Sequence, residues 1–174
     1  MEDNKQGIMK YAMTYGAIIG LALVVYSVLL YMMDATFNRF LGLIQYAVLI
    51  TGIYLATKAY RDKESGGFIT YGKALKTGIL VSFFVGIITV FFNFILMRFI
   101  DPELVDKYML IMEEQFENSR FIGPDQIDAA LERTRNGLTA AWSIPVGVLS
   151  FTLIGFIISL ITSAFLKKDP TPFS

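Results

Sequence analysis

The chain has 174 residues, of which 55% are hydrophobic and 17% charged; its 15 basic and 15 acidic side chains leave no net charge. Soluble domains carry about 25% charged residues, distributed along their elements, whereas here four long runs carry none, which excludes an ordinary soluble globule. The absence of both His and Cys excludes imidazole-based triads, thiolate nucleophiles, disulfides and His- or Cys-ligated metal or haem sites.

The first charge-free run is Tyr11–Met33, 23 residues. A helix rises ~1.5 Å per residue, so about 20 apolar residues cross a hydrocarbon core ~30 Å thick. The run exceeds the ~7–15 residues of a signal-peptide core, and no small-residue cleavage pattern follows it at Tyr31-Met32-Met33-Asp34. An uncleaved span is expected over about 11–33. It contains the GxxxG sequence Gly16-Ala17-Ile18-Ile19-Gly20, and small residues let membrane helices approach closely. Packing within one bundle, or a seam for a protein partner or homo-oligomer through Gly16 and Gly20, would each use it.

The second run, Phe40–Thr57, has 18 residues. Its span is expected over about 40–60, with Lys58 reaching outward to the headgroups. The loop that follows holds Lys58, Arg61, Lys63, Lys73 and Lys76, and within it Gly66-Gly67 predict a tight turn at positive φ. An extended segment through Phe68–Tyr71 is then expected before the third helix. Gly67-Phe68-Ile69-Thr70-Tyr71-Gly72-Lys73-Ala74 fits a phosphate-binding loop as far as the Lys. It then places Ala where a Mg²⁺-binding Ser or Thr belongs, and a membrane span replaces the required buried strand; nucleotide binding is not expected. Tyr60, Tyr71 and the five basic residues suit a headgroup layer containing anionic lipid.

The third run is Thr77–Met97, 21 residues, with a span expected over about 73–97. Gly78, Ser82 and Gly86 repeat small residues every fourth position. The few polar side chains within the spans include Gln45, Asn93, Tyr26 and Tyr46. Buried amides need partners, so the second and third helices are expected to meet at Gln45 and Asn93, directly or through Tyr46. The absence of charge from every span argues against a pump or proton-coupled carrier, which typically places ionisable groups in the membrane.

A 38-residue loop from Arg98 to Arg135 is too long to lack structure of its own. Asp101-Pro102-Glu103 predicts a helix start, with an Asp cap and Pro at the first helical position. Leu104, Tyr108, Ile111, Met112 and Phe116 then fall on one face, and Asp106, Glu113, Glu114 and Glu117 on the other. Gly123-Pro124 breaks the pattern before a second helix whose stripe is Ile127, Leu131, Thr134 and Leu138. A helical hairpin outside the membrane is expected over about 98–137. Its stripes either cover each other or the bundle's outer end, or serve as a partner-docking or membrane-surface element. Glu113 and Glu117 lack calcium-loop spacing and read as a solvated face, so no metal site is expected.

The last run, Asn136–Leu166, has 31 residues, more than one crossing needs. The span is expected over about 140–166, with Asn136, Gly137 and Leu138 outside it, Trp142 at the interface and Pro145 tolerated in the first turns. Lys and Arg favour the cytoplasmic side in short loops. The two tails and the second loop hold nine basic residues, against Arg39 alone in the first loop. Both termini are therefore expected in the cytoplasm, which gives the inner segments a charge of +4 and the outer segments −4.

Taken together, these features resemble the domain of unknown function 4199 family of bacterial membrane proteins. The likeness rests on the glycine-containing first span, Ala59-Tyr60-Arg61-Asp62 after the second, and Gly66-Gly67-Phe68-Ile69-Thr70-Tyr71-Gly72-Lys73-Ala74-Leu75-Lys76 at the third. Ile100-Asp101-Pro102 opening the outer loop and a closing fourth span complete it. The resemblance implies a four-span fold of the bacterial inner membrane and transfers no catalytic, cofactor or metal residue. The expected fold is all-α: a single integral domain over 1–174, a four-transmembrane-helix bundle with an extracytoplasmic amphipathic hairpin between helices 3 and 4. The expected function is that of a non-catalytic accessory or scaffold protein in the lipid bilayer, without cofactor or nucleic-acid partner. The alternative is an oligomeric small transporter or channel; an enzyme ranks third, because no acid, base and nucleophile converge.

Overall fold

The computed structural model describes residues 2–119 and 122–168, with side chains from residue 7 onward. The side chains of Glu2, Asp3, Lys5, Arg120 and Asp169, which enter the charge balance, lie outside that description. The described residues are all-helical: α1 (Glu2–Met32), α2 (Arg39–Glu64), α3 (Tyr71–Ile95), α4 (Glu103–Glu117), α5 (Ile127–Thr139) and α6 (Ser143–Leu166). A π-helical turn, Leu96–Ile100, extends α3, and a 3-10 turn, Pro124–Gln126, precedes α5. Four stretches are long and apolar enough to cross a membrane: Gly7–Met32, Arg39–Glu64, Tyr71–Ile100 and Ser143–Leu166. They lie where the charge-free runs place them. The second is 26 residues long rather than the 18 of its run, because the helix continues through Lys58, Arg61 and Lys63.

The described residues divide into two compact units, one drawn from Met1–Thr89 and Gly147–Ser174, the other from Val90–Val146. In the first, Ala12, Ile19 and Leu23 of α1 pack with Leu49, Ile53 and Ala56 of α2 and Val81 and Val85 of α3, and Phe151, Ile154 and Ile158 of α6 lie against them. The outward faces are apolar as well: Ile18, Leu21, Val25, Leu43, Leu149 and Ile157 are all exposed. Helices apolar on every side fit hydrocarbon as solvent, since their backbone groups are satisfied within the helix and nothing is lost by leaving the side chains in lipid.

Local chemistry fixes the ends of these helices. The Asn38 side-chain oxygen accepts from the backbone N–H of Phe40 (3.0 Å) and Leu41 (3.1 Å), capping α2. The Tyr26 hydroxyl donates to the Leu41 carbonyl (2.9 Å), so this polar group of α1 is satisfied by the start of α2. At the other end of α2, Gly66 and Gly67 turn the chain with φ of +61° and +85°, as their sequence requires. Phe68–Thr70 is non-helical, and α3 begins at Tyr71.

In the second unit the Asp101 carboxylate accepts from the Glu103 N–H (3.1 Å), the expected side-chain cap of α4. Leu104 is buried, Tyr108, Ile111, Met112 and Phe116 are half-buried, and Asp106, Glu113, Glu114 and Glu117 are exposed. The stripe is wider than its spacing suggests, since Val105 and Met109 are also buried. On α5, Ile127, Leu131, Thr134 and Leu138 are all half-buried. α4 and α5 pack against each other. Asn136, Gly137 and Leu138 belong to α5 rather than to α6, which starts at Ser143 with Pro145 in its first turn and Trp142 exposed just before it.

Candidate functional site

Three places in the molecule combine chemistry with defined geometry. The first is the set of glycines in the apolar helices. A methyl group on Gly16 would lie 2.5 Å from Phe84 Cβ and 3.2 Å from the Val81 carbonyl oxygen, and one on Gly20 would lie 3.0 Å from Ile88 Cβ. α1 therefore meets α3 along the GxxxG face, and the structure brings Gly16 and Gly20 into contacts within the chain. On Gly52 a methyl group would lie 2.7 Å from Ile19, where α2 meets α1.

Between α3 and α6 the small residues interlock reciprocally. A Cβ on Gly78 would collide with Ser159, and one on Gly155 would collide with Ser82. Each serine donates to the glycine carbonyl of its own helix, Ser82 to Gly78 (2.8 Å) and Ser159 to Gly155 (2.6 Å). Its hydroxyl is thus satisfied while it lies against the other helix. Sequence reasoning noted Gly78/Ser82/Gly86 and missed Gly155/Ser159; the same i, i+4 spacing of small residues in the fourth span was the available signal.

Several other hydroxyls are buried in this unit. Thr77, Thr89 and Thr162 also donate to carbonyls of their own helices. Thr57 of α2 and Ser163 of α6 do not: both hydroxyls are fully buried and have no hydrogen-bond partner. Gln45 of the first unit and Asn93 of the second, the pair expected to meet, are each half-buried, and Tyr46 is exposed.

The second place is the loop between α2 and α3. Tyr60 is 1% exposed and packs with Ile8, Ile69 and Ala74, its ring meeting Tyr11 edge-on at 5.8 Å. Ile69 and Lys168 form an antiparallel bridge, each N–H donating to the other's carbonyl at 2.9 Å. This brings Lys168 Nζ to 5.4 Å from the centre of the Phe68 ring. Arg61 donates through Nε to Asp62 (2.7 Å) and through Nη1 to the Leu166 carbonyl (3.4 Å) at the end of α6. The Tyr71 hydroxyl donates to the Leu160 carbonyl (3.3 Å). Residues of the Ala59–Asp62 and Gly66–Lys76 segments thus fasten the end of α6 to the end of α2. In this arrangement the segment resembling a phosphate loop is a turn and a bridging strand residue, with Lys73 exposed on α3.

The third place is a cleft of about 450 Å³ in the second unit, between α4 and α5. Met109, Leu110 and Leu131 supply its apolar lining, and Asp106, Glu113, Glu132 and Arg135 its charged rim. Arg135 is paired with Asp106 across the two helices. Leu110 is 67% exposed, an apolar side chain standing among carboxylates. Among the described residues no three potential ligands of the His, Cys, Asp or Glu type gather to hold a metal ion.

The family described as protein of unknown function (DUF4199) matches residues 14–168, almost the whole chain, and the chain belongs to it. No curated protein and no solved structure matches.

Proposed function

We propose that this protein is a non-catalytic accessory or scaffold protein of the bacterial inner membrane, which docks a protein partner through α4 and α5. The reading takes the four apolar helices as a transmembrane bundle with both termini in the cytoplasm, as the distribution of Lys and Arg favours. It takes α4 and α5 as a hairpin on the outer side. The observation that carries it is the α4–α5 cleft, where exposed Leu110 and half-buried Leu131 stand beside Glu113 and Glu132. An apolar anchor flanked by the Glu113 and Glu132 carboxylates, with Arg135 and Asp106 paired to each other beside it, suits a partner segment that offers an apolar side chain flanked by Lys or Arg. Gly16 and Gly20 are less suited to a partner seam, because Phe84 and Ile88 already fill the space beside them.

Crosslinking in intact membranes tests this reading. A photoreactive residue in place of Leu110 is expected to capture one defined partner, and a carboxylate at Leu131 to abolish that capture. Products containing only this chain would contradict it. The second reading, an oligomeric transporter or channel, draws on the unpartnered hydroxyls of Thr57 and Ser163. It requires a polar route through an assembly, so Thr57→Val with Ser163→Ala should then abolish flux in reconstituted vesicles.

A further inference from the structure

The fastening of α6 to the loop after α2 assembles charges from separate parts of the sequence. Lys58 and Arg61 lie on one face of α2; Arg61 reaches the Leu166 carbonyl, two residues before Lys168, whose backbone is bridged to Ile69 and whose ammonium stands over the Phe68 ring. Lys58, Arg61 and Lys168 all act electrostatically on the Asp62 carboxylate. Arg61 is bonded to Asp62, and Lys58 and Lys168 stand within electrostatic reach of the same carboxylate. Arg61 is committed to Asp62 and to the Leu166 carbonyl, which holds the centre of the group in place. Both lysines are exposed. The surface one turn further along each helix is apolar and open: Tyr54 and Leu55 on α2, Ile161 and Phe165 on α6, with Phe165 80% exposed.

We infer that Lys58 and Lys168, positioned around Arg61, bind the phosphate of an anionic phospholipid whose glycerol and acyl chains lie along Phe165 and Leu55. The shared chemistry is a phosphate monoanion held by two ammonium groups; the open apolar wall beside it selects a lipid over a free phosphate. Generic attraction of basic loops to anionic membranes needs no fixed geometry. Here a backbone bridge spans 99 positions of sequence and sets where Lys168 stands, which makes a site of what would otherwise be a diffuse charge. The inference rests on the chain lying in a bilayer, not on partner docking through α4 and α5, so either can fail without the other.

The test is native mass spectrometry of the full chain released from bilayers of equal phosphatidylglycerol and phosphatidylcholine. The wild type is expected to retain phosphatidylglycerol preferentially. Lys58→Gln and Lys168→Gln should each reduce the preference about fivefold and together about 25-fold, as expected for one lysine–lipid contact apiece. Lys58→Arg with Lys168→Arg should keep it. Lys73→Gln and Lys76→Gln, exposed lysines of the same loop and helix start, should leave it unchanged. An equal loss in those two variants, or no preference in the wild type, would overturn the site. Displacement of the lipid by millimolar inorganic phosphate would overturn the lipid as its occupant; retention would support it.

Discussion

The two units of this chain bury their residues by opposite means. In the first, helices apolar on all sides come together where side chains are smallest: Gly16 and Gly20 against Phe84 and Ile88, Gly78 against Ser159, Gly155 against Ser82. In the second, α4 and α5 are amphipathic, keep their carboxylates exposed, pair Asp106 with Arg135 and leave a cleft between them. The two patterns correspond to two ways of driving helices together. In hydrocarbon a Leu gains little by leaving lipid, so association depends on close backbone approach and satisfied hydroxyls. In water, removal of an apolar stripe from solvent is itself the driving force.

The largest effect that separates these regimes should come from adding one carbon. Gly155→Ala drives a methyl group into Ser82, and overpacking of this kind costs ~1–3 kcal/mol; the upper end is expected in detergent unfolding. Gly42, with nothing within 4 Å of an added Cβ, is the control, and Gly42→Ala should stay within about 0.5 kcal/mol. Equal effects at both positions would break the comparison. In the second unit the sensitive change is removal of bulk. Leu104 is 2% exposed, and Leu104→Ala should cost about 2 kcal/mol, seen as faster proteolysis within residues 98–139.

A smaller effect of opposite sign is expected at Thr57. Its buried hydroxyl lacks a partner, and an unsatisfied group of this kind costs roughly 1–3 kcal/mol. Thr57→Val should therefore stabilise by about 1 kcal/mol, whereas Thr89→Val, which removes a hydroxyl bonded to Val85, should not stabilise. The smallest effect belongs to the exposed pair. Asp106 and Arg135 have side chains more than half exposed, so Arg135→Gln should cost less than ~1 kcal/mol and the cost should shrink with added salt.

Much of this fold is legible in the sequence because charge is expensive in hydrocarbon. The four charge-free runs mark the long helices, and the 3.6-residue period of Leu104, Tyr108, Ile111 and Phe116 marks the inward face of α4. Gly66-Gly67 reveal their turn because few other residues adopt positive φ. The faces by which the apolar helices meet are not marked by any period, since Ile18 and Ile19 are equally apolar yet one is 58% and the other 6% exposed. Only small residues mark those faces, and Gly155 and Ser159 stand singly among large apolar neighbours. The bridge from Ile69 to Lys168 has no local signature, because neither residue carries a pattern that names a partner so distant in sequence. The α4–α5 cleft was legible only as two stripes and an acidic face; that Leu110 stands exposed among the carboxylates follows from the helix pairing rather than from the spacing.

The proposed topology places the loop after α2 and the helix α4 on opposite sides of one membrane. The absence of Cys from the chain makes this directly measurable with an impermeant thiol reagent. Ser65→Cys should be labelled only from the cytoplasmic side, after the membrane is opened, and Gln115→Cys in intact cells from outside. Labelling of both positions from the same side, or the reverse of this pattern, would contradict the account.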